Sequence, residues 1–321
     1  MKCKRIFAML LALCLLLSLC ACGEVVGDKV EIAFIAKATA SDFWHNVFGG
    51  AGSAATEYNV ALTIQGPETE EDYETQNRMI AEAVNSGADA IVFSAIDYYN
   101  SVEAVEAAVK AGVEVVVIDS TVNTDKISLI IGTDNYAAGR MAAEAAIARG
   151  QDAGFDTLQI GLVNYDVNSA NGQERERGFT DAIAEYGGGE VLETVNMDST
   201  TDDAKRGALE LLDRHPEINT LVGFNEWMTL GVGYAIQERD AAERVIGVGF
   251  DSNVVSIGML ETGEMDALIV QNPFAMGYLG VQSAYELVTG KHPQSTTTVT
   301  TTMTKEIMFQ ESSQKTLFKF G

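Results

Sequence analysis

Carboxylates, amides and aromatic rings recur at matched places along this 321-residue chain. Asp42-Phe43-Trp44, Ser94-Ala95-Ile96-Asp97, Asp119-Ser120, Asn164-Tyr165-Asp166, Asn225-Glu226-Trp227, Asp251 and Gln271-Asn272-Pro273 each come after a short apolar run. Both tryptophans of the chain belong to this set. Carboxylates and amides hydrogen-bond hydroxyl groups, and flat aromatic faces pack on C–H surfaces. Gathered together, such side chains line a site for a small polar ligand. Taken singly, an Asp or Asn at such a place is commonly a helix N-cap, and a Trp beside it is commonly core. Recurrence after nearly every run lifts the set above caps and core alone.

Other chemistry has no footing in the residues. The three histidines, His45, His215 and His292, stand far apart, and none has the spacing of a metal motif. His215 precedes Pro216 at an expected helix end, where a cation caps the helix dipole. No G-x-x-x-x-G-K-S/T loop and no G-x-S-x-G elbow occur. The run Gly247-Val248-Gly249-Phe250-Asp251-Ser252 starts like a dinucleotide fingerprint but lacks its third glycine. No carboxylate pair is set apart as acid and base. The residues ask for no enzyme, no metal and no cofactor.

The elements that must position the set alternate regularly. Apolar runs at 30–37, 61–66, 90–95, 113–118 and 129–131 read as strands. Amphipathic stretches at 43–58, 70–86 and 101–111 read as the helices between them. Gly112 stands where the third helix needs a left-handed residue to close. Further strands are expected at 158–163, 190–196, 221–224, 245–249 and 267–271. Helices near 136–149, 173–186, 202–214, 228–238, 253–262 and 274–290 separate them. Strands with helical crossovers make a parallel sheet, and these strands are apolar on both faces, as buried parallel strands are. A chain of this length tends to split its core, so two doubly wound sheets are expected in place of one wide one. Ligands bind such sheets beyond the carboxyl ends of the strands, where the polar set falls. The Thr-rich stretch 295–304, with Val299 and Met303 in alternation, reads as an extended strand or hinge.

Composition bounds the partners. The chain is 47% hydrophobic with only 4 Pro, and 21 Lys+Arg face 46 Asp+Glu for a formal charge of −25. That balance argues against a nucleic-acid backbone and against docking on anionic lipid through a basic patch. The first segment, MKCKRIFAMLLALCLLLSLCAC, has a basic start, a short apolar core and small residues at its end, the form of a secretory signal. Leu19-Cys20-Ala21-Cys22 resembles the bacterial lipobox, which implies cleavage before Cys22 and diacylglycerol on its sulfur. Residues 1–21 are then a lipoprotein signal peptide and 22–29 a tether. All cysteines (Cys3, Cys14, Cys20 and Cys22) lie in this segment, so the body has no thiol chemistry.

Short motifs along the body resemble one family. They are Ser41-Asp42-Phe43-Trp44, Gln76-Asn77 through Gly87-Ala88-Asp89-Ala90-Ile91, Val117-Ile118-Asp119-Ser120, and Gly132-Thr133-Asp134-Asn135 with Gly139. Arg175-Glu176-Arg177-Gly178-Phe179, Asn225-Glu226-Trp227-Met228-Thr229-Leu230-Gly231, Val248-Gly249-Phe250-Asp251 and Gln271-Asn272-Pro273 follow. In that order and spacing the chain is similar to the ribose-type sugar-binding proteins of ABC importers, relatives of the ligand domains of LacI-type repressors. The resemblance runs from about Lys29 to Lys305.

It implies an α/β fold of two doubly wound parallel-sheet lobes, the type I periplasmic binding protein. The lobes would be 30–133 with 272–299 and 134–271 with 300–321, joined by hinge crossings near Thr133, Asn272 and Val299. Carried over residue by residue, Ser41 matches a hydroxyl-binding amide, and Phe43 and Trp44 match paired aromatics that sandwich the sugar ring. Asp119 matches the sugar-binding Asp, and Arg175 the Arg reaching from the second lobe. Asn225, Asp251 and Gln271 complete the hydroxyl contacts, with Trp227 bulkier than most relatives have. Ribose-type proteins carry Arg directly after the first sugar-binding Asp; here it is Ser120, which cannot make forked bonds. Tyr165, Asp166 and Asn168 offer substitute contacts. The expected protein is a monomeric, lipid-anchored solute-binding protein that delivers a monosaccharide or small polyol to an ABC permease. The alternative is a sensor that presents the same ligand to a membrane receptor or histidine kinase.

Overall fold

The computed structural model describes residues 29–317. The signal segment, Cys22 and all but the last residue of the expected tether lie outside the described residues. The first part of the chain runs β1 (Glu31–Ile35), α1 (Asp42–Glu57), β2 (Ala61–Gln65), α2 (Tyr73–Asn85), β3 (Ala90–Phe93), α3 (Val102–Lys110), β4 (Glu114–Ile118) and β5 (Leu129–Gly132). Next come α4 (Asn135–Ala153), β6 (Leu158–Asn164), α5 (Ala170–Tyr186), β7 (Gly189–Asn196), α6 (Thr201–Arg214), β8 (Thr220–Gly223), α7 (Glu226–Glu238), β9 (Ile246–Phe250), α8 (Val254–Thr262) and β10 (Ala267–Val270). The chain closes with α9 (Pro273–Val288), β11 (Thr296–Thr297), β12 (Thr301–Thr304) and α10 (Glu311–Leu317).

Two six-stranded sheets result, in the orders β11-β5-β4-β3-β1-β2 and β12-β10-β9-β8-β6-β7. Every pairing is parallel except β12 against β10. Strand periodicity sorts the apolar residues onto both faces of the first sheet. Ile32 and Phe34 pack with Trp44, Val47 and Ala51 of α1, while Ala33 and Ile35 pack with Ile80 of α2 and Val105 of α3. The second sheet is buried in the same way inside one large core that also takes Met303 and Leu317. Helices cross closely where glycine removes the side chain. A Cβ on Gly139 of α4 would lie 2.0 Å from the Arg175 carbonyl oxygen of α5, and one on Gly50 of α1 would lie 2.0 Å from that of Phe274 in α9.

The chain passes between the sheets at 133–134, 271–272 and 298–300. The crossings are bonded to one another. Thr298 N–H donates to the Gly132 carbonyl at 2.7 Å, and Thr133 Oγ1 donates to Gln271 Oε1 at 2.7 Å. The Thr-rich stretch holds two short strands with a crossing between them. It supplies β11 to the first sheet and β12 to the second, with Val299 exposed between them. The helix expected from residue 70 begins at Tyr73, because the Asp72 side chain accepts from Thr75 N–H and caps it there. Glu70 and Glu71 are thereby left in a loop that faces the other lobe.

Candidate ligand cleft

The carboxyl ends of the strands in both sheets face each other across a gap, and their loops line a cleft there. Every residue expected at the site lines it: Ser41, Phe43, Trp44 and Asp119 from the first lobe, Arg175, Asn225, Trp227, Asp251 and Gln271 from the second.

Asp119 and Asp251 hold matching places at the ends of β4 and β9. Both adopt left-handed backbone, with φ of 56° and 67°. Both donate the backbone N–H at 3.0 Å to the neighbouring strand, to the Ile131 and Ile269 carbonyls respectively. The conformation turns each carboxylate off the strand into the cleft, and Asp and Asn are the non-glycine residues that tolerate it best. Asp251 Oδ1 accepts from Gln271 Nε2 at 2.7 Å, which links it through Gln271 to Thr133 in the hinge. Burial pushes the Asp251 carboxyl up to about 7, against the pull of Arg175 and the Gln271 bond. Asp119 accepts from Ser94 Oγ at 3.0 Å and from Asn171 Nδ2 at 3.2 Å. Burial raises it too, opposed by Lys37 and Arg175.

Arg175, 1% exposed, is held by Asn135 Oδ1 at 2.9 Å on Nε and the Phe224 carbonyl at 2.7 Å on Nη1. Its guanidinium lies 4.6 Å over the Phe250 ring. Nη2 is buried and has no partner. An unpaired charged donor in such a place is costly, and an oxygen entering the cleft would satisfy it.

Ser41 and Asn225 are caps as well as lining. Ser41 Oγ accepts from Trp44 N–H at 3.2 Å, and Asn225 Oδ1 from Met228 N–H at 2.9 Å. The aromatic pair departs from the expected sandwich. Phe43 and Trp44 meet edge to face at 88°, with centroids 5.2 Å apart, so they form a corner. Trp44 is 1% exposed, and its Nε1–H donates to Glu70 Oε1 at 2.9 Å. From the other lobe, Trp227 and Tyr165 also line the space.

Sequence reasoning missed Lys37, Glu70 and Asn171 and assigned no role to Glu226, all of which line the cleft. Lys37, 2% exposed, donates to Ser169 Oγ of the other lobe at 3.0 Å and lies 3.5 Å from Glu70. Burial opposes its charge, but Glu70, Tyr165 and Asp119 outweigh it and hold the ammonium above its ordinary range. Tyr165 donates to Asn171 Oδ1 at 2.8 Å, and burial pushes its hydroxyl up to about 12. Glu226 spans the lobes: Oε2 accepts from Phe43 N–H at 3.1 Å and Oε1 from Asn253 Nδ2 at 2.7 Å, while burial raises its carboxyl. The visible signal was a lysine ending an otherwise apolar strand. Of the substitute contacts, Tyr165 reaches the cavity and the other two do not. Asn168 instead fastens the lobes, accepting from Tyr98 N–H at 2.9 Å and donating to Asp97 Oδ2 at 3.1 Å, and Asp166 Oδ1 accepts from Asn168 N–H. Among the described residues no group of His, Cys, Asp and Glu is placed to hold a metal ion.

Two parallel-sheet lobes with a polar, aromatic-cornered cleft between their strand ends define a two-lobed binding protein. Residues 32–292 match the periplasmic binding protein domain, and the chain belongs to that family, whose members work outside the cytoplasm. It is 28% identical over 278 residues to the D-ribose/D-allose-binding protein of Pseudomonas aeruginosa, covering 83% of this chain and 85% of the relative. It is 28% identical to the ribose import binding protein of Bacillus subtilis, over 71% of this chain and 72% of the relative. Among solved structures it is similar to a carbohydrate transporter solute-binding protein from Agrobacterium radiobacter in complex with D-arabinose. That match has a TM-score of 0.88 at 27% identity and covers 91% of this chain and 99% of the other. An ABC transporter solute-binding protein from Agrobacterium vitis with bound D-fucose matches at a TM-score of 0.85 and 29% identity, over 90% and 100%.

Proposed function

We propose that this protein is the solute-binding component of an ABC importer and captures a neutral monosaccharide or small polyol between its lobes. The observation that carries the reading is the buried, unpartnered Nη2 of Arg175 in a cleft lined by amides, carboxylates and aromatic rings from both lobes. The names of its relatives support a sugar. The cleft also sets the ligand's charge. Carboxyl groups outnumber cations there, Glu70, Asp119, Glu226 and Asp251 against Lys37 and Arg175, and burial raises Asp119, Glu226 and Asp251 toward the neutral acid, so the cleft offers no surplus of positive charge to a sugar phosphate or uronate. A polar site of this kind rejects analogues that lack a hydroxyl, because its own groups are then left unpaired. The ligand is held and returned unaltered by a monomer. Export and a lipid anchor on Cys22 place the lobes at the outer face of a membrane, and radiolabelled palmitate on the wild type but not on Cys22→Ala tests the anchor.

The ligand test is thermal unfolding against pentoses, hexoses, polyols, amino acids and nucleosides, after any co-purified ligand has been removed by unfolding and refolding. A ligand at 100 times its dissociation constant adds about 2.7 kcal/mol. A selective rise with a neutral sugar or polyol is expected. A rise confined to amino acids or nucleosides, or to anionic sugars, overturns the assignment.

A further inference from the structure

Several bonds join the lobes directly, and one stands at the edge farthest from the hinge. Glu71, in the loop between β2 and α2, accepts from Ser199 N–H through Oε1 at 2.7 Å. Ser199 precedes α6 and is 9% exposed, and its own hydroxyl is buried without a partner. Neither residue lines the cleft. Their place in the sheets gives the bond its leverage. The crossings leave from β5 and β11 in the first sheet and from β10 and β12 in the second. Glu71 follows β2 and Ser199 follows β7, the edge strands at the opposite ends of those sheets. With about 4.8 Å between neighbouring strands, β2 stands about 19 Å from β5. Rotation at the hinge separates the far edges more than any point nearer the crossings.

We propose that Glu71 is a positioning residue, a latch that holds the lobes shut over the cleft without touching what the cleft contains. It rests on the cleft being the ligand site. A hydrogen bond from a neutral amide to a carboxylate, shielded on the Ser199 side, is stronger than a neutral pair. The latch acts together with the bonds from Phe43 N–H to Glu226 and from Tyr98 N–H to the Asn168 carbonyl, which lie nearer the hinge. Loss of the latch therefore loosens all of them at once, whereas loss of a merely local contact frees Ser199 alone.

The test is amide hydrogen exchange on the ligand-free full-length chain, comparing wild type, Glu71→Ala and Glu71→Gln. In Glu71→Ala the amides of Ser199, Phe43 and Tyr98 should exchange faster together, by roughly tenfold. The Trp44 amide, whose cap bond lies within one lobe, should keep its rate. Glu71→Gln retains an acceptor oxygen without the charge and should fall between the two. Faster exchange at Ser199 alone, or no change at any of the three, overturns the latch. Because no ligand enters this measurement, a sugar panel that gives no shift would sink the ligand reading and leave the latch standing. Uncoupled amides beside a sugar that binds would do the reverse.

Discussion

Asp251→Asn should make the ligand-free protein more stable while it weakens capture. The substitution is close to silent in shape. Asn tolerates the left-handed backbone at φ 67°, and its oxygen still accepts from Gln271 Nε2. What changes is the charge. The Asp251 carboxyl titrates at about 7 in the folded protein against 3.8 in the reference state, with burial as the leading cause. The folded protein therefore holds a proton that the unfolded chain releases between those values. Stability from this group is present below pH 3.8, is lost as pH rises towards 7, and changes no further above it. The gap corresponds to about 4 kcal/mol at most, and hydration of an opening cleft reduces it to about 2–4 kcal/mol. At pH 8 the variant should gain that amount in urea unfolding and melt roughly 4–10 °C higher. At pH 4 the two proteins should unfold alike. An Asp251→Asn protein of equal or lower stability at pH 8, with unaltered circular dichroism, would refute the reasoning.

Arg175→Met keeps the packing on Phe250 and removes the Nη2 donor, so affinity for the selected ligand should fall at least a hundredfold by calorimetry, with the fold retained. Both tryptophans line the cleft, Trp44 fully buried and Trp227 half-buried, so ligand should alter the emission, and Trp227→Phe should reduce that fluorescence change by the share that its more exposed ring contributes. Gly139→Ala should cost about 2–4 kcal/mol in urea unfolding, because its Cβ would meet the Arg175 carbonyl 2.0 Å away and push α4 off α5. Gly154→Ala, with open space around its Cβ position, should cost less, through its left-handed φ of 74° alone.

The strands were legible because parallel strands buried on both faces are short apolar runs, and the cleft was legible because such sheets bind ligands past their strand ends. Two signals overlapped at the site. Ser41 and Asn225 are helix caps in the manner their residue types suggest, and they line the cavity as well. What could not be read was pairing across the gap. Lys37 and Glu70 come from separate loops and Asn171 from the first turn of α5, and only tertiary contact tells that Lys37 meets Ser169, 132 positions away. The right-angled rings of Phe43 and Trp44 escaped for another reason. Adjacent residues in a helix project about 100° apart, so two neighbours make a corner more readily than two walls.

The left-handed turn at Asp119 and Asp251 has a bearing on how this cleft can change its ligand. A backbone with positive φ admits Asp, Asn and Gly and strains most other residues. At these two places the repertoire shrinks to a few side chains of nearly one length. Selection or design that seeks a different solute must then work on the residues around the carboxylates, such as Ser120, Trp227 and Lys37, whose backbones impose no such filter. The two aspartates act as fixed survey points, and new specificities are drawn between them.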